Sequence, residues 1–399
     1  MAEQEIQIPA GGATPNRMRN HNERLLLSII QRSGAVPGSD LARLSGLSPQ
    51  TVSVILRKLE QDGLVVRKEP QRRGGVGKPS VPMGLADEGL LSVGLKIGRR
   101  TADLLITDVH GRVLEELHAS YRYPMPDQVF EFLERGLERF RSGVARKLWD
   151  RIAGIGIAAP FQLWNWHTAL GAPESDMRAW RQVDFAASVA RFSDLPVFVQ
   201  NDATAACRAE HVYGGGKAYS DYAYFFIGSF IGGGVVMNGS VVEGHSGNAG
   251  AFGSLPVPFA GGTKQLIDAA SIFLLEDRLE AAGINSQLIW TEPRDWDWFP
   301  DQLNPWLAEV SLHLAQAAVT VCSVIDFGAI VIDGGFPEKV RARVVDLTAE
   351  RLSGLDMRGI VAPVVVAGKV GANARALGAA SAPVYRQYFL DSNAGFATV

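Results

Sequence analysis

From Pro49 to Leu59 the apolar residues Val52, Ile55, Leu56 and Leu59 recur at helical spacing, with Gln50, Thr51, Ser53 and Arg57 on the opposite side. Ser48 is a good N-cap and Pro49 suits the first helical position, so the helix is expected to start there. Residues 39–47 predict a shorter helix with Leu41 and Leu44 inward, ended by a turn at Gly46. Residues 22–31 predict a third helix, with Leu25, Leu26, Ile29 and Ile30 packed beneath the pair. Two helices joined by a tight glycine turn make a helix-turn-helix. Residues 64–68 and 81–83 read as a hairpin behind it, which completes a winged-helix outline.

The pattern changes near Gly84. Residues 91–98, 101–108 and 113–117 read as successive strands around a Gly111 turn, and a helix carrying Phe130, Phe132, Leu133 and Leu137 leads to an apolar strand at 152–158. Further strands are expected at 196–200, 222–227, 234–238, 330–335 and 364–367, with a long apolar helix over 310–324. Antiparallel strands feeding a helix and then a parallel strand predict an α/β body, and the carboxyl half repeats the theme.

The winged outline carries chemistry suited to DNA. The side chains of Ser48, Gln50, Thr51, Ser53 and Arg57 offer donors and acceptors to base edges and phosphates when the helix N-terminus enters a major groove. The hairpin tip, Gln71-Arg-Arg-Gly-Gly-Val-Gly-Lys-Pro79, adds Arg72, Arg73 and Lys78. Residues 1–80 hold 12 Lys and Arg against 7 Asp and Glu, a formal +5, so the remainder of a chain of net charge −3 carries −8. Phosphate attraction is thereby concentrated at one end. A three-helix module for protein contacts fits the same pattern but leaves the basic tip unexplained.

At 399 residues, 47% hydrophobic and 20% charged, the chain is globular and too long for one ordinary domain. The expected division is a mobile arm over 1–19, a winged helix-turn-helix over 20–84 and a body over 90–399. The early apolar run at 25–30 is too short for a cleavable signal and follows no basic segment, and no stretch of about 18 apolar residues is expected to span a membrane. Two cysteines, Cys207 and Cys322, make neither a disulfide framework nor a metal knuckle. A soluble cytoplasmic protein is expected.

The order of the motifs resembles the ROK (repressor, open reading frame, kinase) family, specifically its regulator branch, in which a winged helix-turn-helix precedes a sugar-kinase-like body. The resemblance covers residues 20–388. It rests on Gly154-Ile-Gly-Ile-Ala-Ala-Pro160, Gln200-Asn-Asp-Ala-Thr-Ala-Ala206, Ile227-Gly-Ser-Phe-Ile-Gly-Gly-Gly-Val-Val-Met-Asn-Gly239, Gly244-His-Ser-Gly-Asn-Ala-Gly250, Val331-Ile-Asp-Gly-Gly335 and the segment 371–378. Each glycine run alone is weak; the order makes the match specific. It implies a two-lobed, actin-like (ribonuclease H-like) ATPase fold with a sugar cleft between the lobes, and a homodimer or homotetramer.

Departures from the family pattern bear on function. Where a family kinase has an Asp-x-Gly-Gly-Thr phosphate loop, this chain has Lys96-Ile-Gly-Arg-Arg100, which removes a magnesium carboxylate and adds long side chains where the loop must be bare. Phe230 stands where the second phosphate loop usually has glycine. An anionic ligand on Lys96 and an Arg remains a lesser alternative. Asp202, after Asn201, falls at the family's catalytic base, whose task needs nucleotide and metal in line; hydrogen bonding to a sugar hydroxyl is its expected remaining role. A purely structural alternative has the Asn-Asp pair cap a helix over 203–210.

The family's Glu-x-Gly-His reads Ala251-Phe-Gly-Ser254 here, and its cysteine-rich zinc loop is replaced by a shortened, thiol-free segment at 256–267, so neither zinc nor any other cofactor is expected. His245 and Trp166 are candidate ligand contacts, with Trp164 and His167 beside them; for Trp296 and Trp298 packing or subunit contact is favoured. The reading is a ligand-responsive repressor without catalytic residues, which binds a double-stranded DNA operator and a small sugar or polyol effector held by Asn201, Asp202, His245 and Trp166. A divergent sugar kinase and a constitutive DNA binder whose body only oligomerises are the alternatives.

Overall fold

The computed structural model describes residues 21–70, 80–143, 146–291 and 295–390. The expected arm over 1–19 and the basic tip with Arg72, Arg73 and Lys78 lie outside the described residues. Helices α1 (His21–Ser33), α2 (Gly38–Ser45) and α3 (Pro49–Gln61) pack with a three-stranded antiparallel sheet of β1 (Val36–Pro37), β2 (Val65–Arg67) and β3 (Pro82–Leu85), in the order β1-β3-β2. Ser48 caps α3 by accepting from the Thr51 N–H at 3.1 Å, and Gly46 ends α2 at φ 71°, a conformation glycine adopts without steric cost. Leu26, Leu27, Ile30, Leu41, Val52 and Leu59 fill the core. Leu44, expected inward, is 50% exposed: two-turn α2 turns Leu41, Ala42 and the half-buried Ser45 toward the core, which leaves Leu44 on its outer flank. In α1, Leu25 and Ile29 are only half-buried, and Leu27 takes the inner place.

The body consists of two lobes built on one plan. In the first, β4 (Leu91–Ile97), β5 (Thr101–Asp108) and β6 (Val113–Ser120) form an antiparallel meander, α4 (Pro126–Ser142) covers it, and β7 (Ile152–Ala159) and β8 (Val197–Asn201) add parallel strands. Helix α5 (Asp202–Tyr213) then crosses to the second lobe. There β9 (Tyr222–Ile227), β10 (Ile231–Met237) and β11 (Ser240–Val242) repeat the meander, and a hairpin, β12 (Pro256–Phe259) and β13 (Gly262–Gln265), stands in place of the zinc loop. Helices α6 (Phe273–Ala281) and α7 (Pro300–Val324) follow, then β14 (Ala329–Gly334), α8 (Glu338–Ser353), β15 (Val364–Ala367) and α9 (Ala374–Tyr388). The sheet orders are β6-β5-β4-β7-β8 and β11-β10-β9-β14-β15, the same topology twice.

Helices α5 and α9 pack together at the centre. Their approach requires glycine: a Cβ on Gly378 would lie 1.7 Å from the Ala205 carbonyl oxygen, and one on Gly156 of β7 would lie 1.7 Å from that of Ala379. By length and composition α7 is apolar enough to cross a membrane, contrary to the sequence expectation. It is the central core helix of the second lobe, with Trp306, Leu307, Val310 and Leu314 buried. Trp296 packs against Phe299, Trp306 and Phe336, whereas Trp298 is 47% exposed.

Candidate functional site

Two surfaces carry the candidate residues. On α3 the apolar stripe is buried, while Gln50, Ser53 and Arg57 are exposed with Lys58, whose ammonium pairs with Glu23 of α1. Ser48 and Thr51 are tied to each other by a 2.8 Å hydroxyl contact, so both serve the cap at the positive end of the helix. Val54, which the sequence reading did not single out, is 63% exposed in the middle of this polar face. Periodicity alone placed it there: it lies three and four residues from Gln50, Arg57 and Lys58, off the buried stripe.

The second surface is a cavity of about 210 Å³ between the lobes. Strand β8 delivers Asn201 and Asp202 to it at the start of α5. The Asn201 carboxamide oxygen accepts from the Ala203 and Thr204 N–H groups at 2.9 and 3.0 Å, so its acceptor serves the helix and its NH₂ is left for the cavity. The ligand and capping roles weighed for this pair are therefore compatible. The Asp202 carboxylate accepts from the Arg375 guanidinium at 3.4 Å, with both side chains more than four-fifths buried.

Trp166 reaches the cavity from the loop after β7, where Gln162 sits at φ 49°. Its indole N–H donates to the Phe161 carbonyl at 2.9 Å, and its ring lies 5.1 Å from that of Phe230 at the β9–β10 turn. Phe161, Leu163 and Leu170 line the same wall, whereas Trp164 and His167 do not line the cavity. His245 is a correction: its side chain is exposed and outside the cavity lining, because Gly244 and Gly247, at φ 78° and 71°, turn the loop so that Asn248 and Gly250 reach the cleft instead. Ala251 and Ser254 do line it, joined by Gln265 and Ile267.

The side of the cleft expected to hold phosphates is filled by the protein itself. Lys96 does not face the cavity; its ammonium donates to Asp103 at 2.7 Å and to Thr101 at 2.8 Å. Burial pushes the Lys96 pKa down against the opposing charge of Asp103. Burial also pushes Asp103 up, but Lys96 and the His118 hydrogen bond outweigh it and hold that carboxyl below its usual range, so it stays ionised. Arg99 crosses from the β4–β5 turn to the second lobe, donating to Glu276 of α6 at 3.2 Å and lying 5.5 Å above the Phe230 ring. Phe230 in turn meets Phe273 edge-on at 5.5 Å.

Helix α9 runs from the cleft to the winged domain. Arg375 in its first turn faces the cleft, the Gly378 carbonyl accepts from Gln200 at 2.9 Å, and its last residues enter the core of the winged domain through Val384, Tyr388 and Phe389. Arg24 of α1 donates to the Phe389 carbonyl at 3.0 Å, and the Leu390 N–H donates to Ser28 at 2.8 Å. At about 1.5 Å per residue this helix spans roughly 22 Å from cleft to winged domain.

Comparison with known proteins agrees with the two parts of the fold. Residues 92–264 match the ROK family model, and residues 19–66 match a winged helix-turn-helix DNA-binding model. The xylose repressor of Bacillus subtilis is 26% identical over 240 residues, which take in 60% of this chain and 61% of that protein, so the match spans about three-fifths of each. The crystal structure of a ROK family transcriptional regulator, a homologue of the E. coli MLC protein, superposes with a TM-score of 0.67 at 20% identity, over 92% of this chain and 96% of that one. A ROK family glucokinase from Streptomyces griseus, solved with glucose and AMPPNP, shares the body fold at a TM-score of 0.56 and 22% identity, over 73% of this chain and 98% of its own.

Proposed function

We propose that this chain, which carries a ROK-family domain behind a winged helix-turn-helix, is a cytoplasmic DNA-binding transcriptional repressor that responds to a small sugar or polyol and transfers no phosphoryl group. Residues 20–84 read a double-stranded operator through α3, and residues 90–399 bind the effector and assemble a homodimer or homotetramer. Asn201, Asp202 and Trp166 hold the effector.

The observation that carries this reading is the course of Arg99. A phosphoryl-transfer site must present bare backbone and a metal carboxylate to the nucleotide. Here Arg99, Phe230 and Glu276 bridge the lobes on that side, and Lys96 is paired inward. Response to an effector is supported by α9, whose two ends meet the cleft and the winged domain, since lobe movement that shifts α9 also shifts α1. An effector acts only through unequal affinity for the two arrangements. The divergent-kinase reading draws on Asp202 at the head of α5 and on the kinase-like body fold.

Two measurements test the proposal. Footprinting on DNA selected from random sequence is expected to give a near-palindromic site with half-sites about one helical turn (~34 Å), or a multiple of it, apart. A coupled assay with ATP, magnesium and a panel of hexoses, amino sugars and pentoses is expected to give no turnover. Turnover that disappears in Asp202→Ala would establish the kinase instead.

A further inference from the structure

We infer that Arg151, at the head of β7, fixes the attitude of α3 on the body and so sets how far apart the two half-sites of an operator must lie. This rests on the reading of DNA by α3 in a symmetric assembly, and it names a positioning residue that belongs to the body rather than to the winged domain. The Arg151 guanidinium donates to the Asp62 carbonyl at 2.5 Å, across 89 residues of sequence. Asp62 is the C-cap of α3, and a cation is favoured at that end of a helix, where the last carbonyls lack partners within the helix.

The turn after α3 is shaped to receive that side chain. Gly63 sits at φ 71°, and a Cβ there would lie 3.0 Å from Arg151 Nη2, so a larger residue would meet both a strained backbone and the guanidinium. On its other side the Gly63 carbonyl meets Gly89, where a Cβ would lie 2.6 Å from that oxygen. The Leu64 carbonyl accepts from the Ala86 N–H at 3.0 Å. The end of α3 is therefore held between Arg151 and the segment that leads into β4.

A single grip would let the winged domain pivot, and the second grip lies at α1. There Arg24 donates to the Phe389 carbonyl at 3.0 Å, and Ser28 accepts from the Leu390 N–H at 2.8 Å. Both grips belong to one frame, because the Gln387 side chain of α9 donates to the Ala153 carbonyl at 2.7 Å, just past Arg151 on β7. Within the winged domain Lys58 of α3 pairs with Glu23 of α1, so the two helices tilt together. Strand β7 runs from Arg151 toward Pro160 and Phe161, which line the cavity; it links the cleft to the end of α3 as α9 links the cleft to α1. Arg151 is exposed, and an exposed hydrogen bond adds little to folding. What it changes is the angle at which α3 is presented.

The test is the affinity of the full chain for its footprinted operator and for versions with one or two base pairs added or removed between the half-sites. Each base pair moves one half-site by ~3.4 Å and about a tenth of a turn relative to the other. Wild type is expected to lose roughly tenfold or more at the first displaced base pair, on the scale of a lost base contact. In Arg151→Ala that penalty is expected to shrink by about fivefold, the worth of one such hydrogen bond, while the bases preferred within a half-site, read by selection from random sequence, stay the same. Arg151→Lys keeps the charge but loses the guanidinium fork and is expected to lie between. A variant that only folds less well lowers affinity equally at every spacing; a spacing profile of unchanged shape in Arg151→Ala therefore overturns the inference. Wild-type protein indifferent to spacing also overturns it, and in both cases the reading of DNA stands. If no sequence-specific site exists, the DNA reading itself falls, and this inference with it.

Discussion

His211 on α5 should make the fold acid-sensitive over a defined window. Its Nε2–H donates to the Gly239 carbonyl at 2.9 Å, while Nδ1 is buried without a partner among the described residues. A second proton would therefore sit on a nitrogen with no acceptor. Burial, followed by the charges of Arg208, Arg32 and Lys217, outweighs the Gly239 carbonyl and pushes the imidazole down from its usual 6.5 to about 4. The unfolded chain takes up the proton near pH 6.5 and the folded chain does not until about 4, so stability is full above the first value and is lost as pH falls toward the second. At ~1.36 kcal/mol per pKa unit the limiting loss is about 3 kcal/mol, of which about 2 kcal/mol falls between pH 7 and pH 5.

Glu210 and Asp333 oppose this trend. Burial holds both carboxyls above their usual range, so their folded forms bind protons first and gain stability as pH falls. The difference between wild type and His211→Gln isolates the histidine, because the glutamine amide can still donate to Gly239. Urea midpoints followed by tryptophan fluorescence through the acid range are expected to fall more steeply in wild type, by an amount equivalent to about 2 kcal/mol between pH 7 and pH 5. Parallel profiles for the two proteins would refute the buried, neutral imidazole.

Arg57→Ala is expected to weaken operator binding by about 1–3 kcal/mol if the side chain meets a base, or to lower the salt slope by about one if it meets a phosphate; a titration series in salt distinguishes the two, and no change in either removes Arg57 from the interface. Asp202→Ala is expected to abolish the effector response while the operator is still bound, because Asp202 lies in the cleft and not on α3; effector affinity unchanged by calorimetry would move the site elsewhere. Arg99→Ala leaves Glu276 with the Trp290 N–H but without its cation, at an expected cost near the lower end of the ~3–5 kcal/mol for breaking a buried pair. A double-mutant cycle with Glu276→Gln measures the coupling, and additive effects would mean that the pair does not hold the lobes together.

The elements were legible in the sequence because their signals are local. The cap at Ser48, the stripe from Val52 to Leu59 and the αL turn at Gly46 each depend on residues within a turn or two, and the structure reproduces them. Errors arose where burial depends on what a short helix packs against: Leu44 has the same spacing from Leu41 as a core residue, yet half of it stays exposed. Asn201 and Asp202 were readable as a pair at a helix start, but the division of labour between them was not, because it depends on backbone N–H groups already claiming one side chain.

The cleft was least legible for a topological reason. Its charged contacts join Arg99 to Glu276 and Arg375 to Asp202, 177 and 173 residues apart in sequence, and no periodicity relates such positions. The departure from the family's phosphate loop drew attention to the Lys96–Arg100 stretch as one basic substitution, yet its members part company in space. Lys96 lies on β4 and turns back along the hairpin to Asp103, its register partner on β5, whereas Arg99 lies in the turn, beyond the last paired residues, and is free to cross to the other lobe. Strand register thus decides which cation is neutralised within the first lobe and which reaches across the cleft. The same residue types exchanged between these two positions would give a different cleft: a cation at 96 remains opposite Asp103 whatever occupies 99, while a shorter side chain at 99 leaves Glu276 with the Trp290 N–H but without its cation and removes this bridge between the lobes.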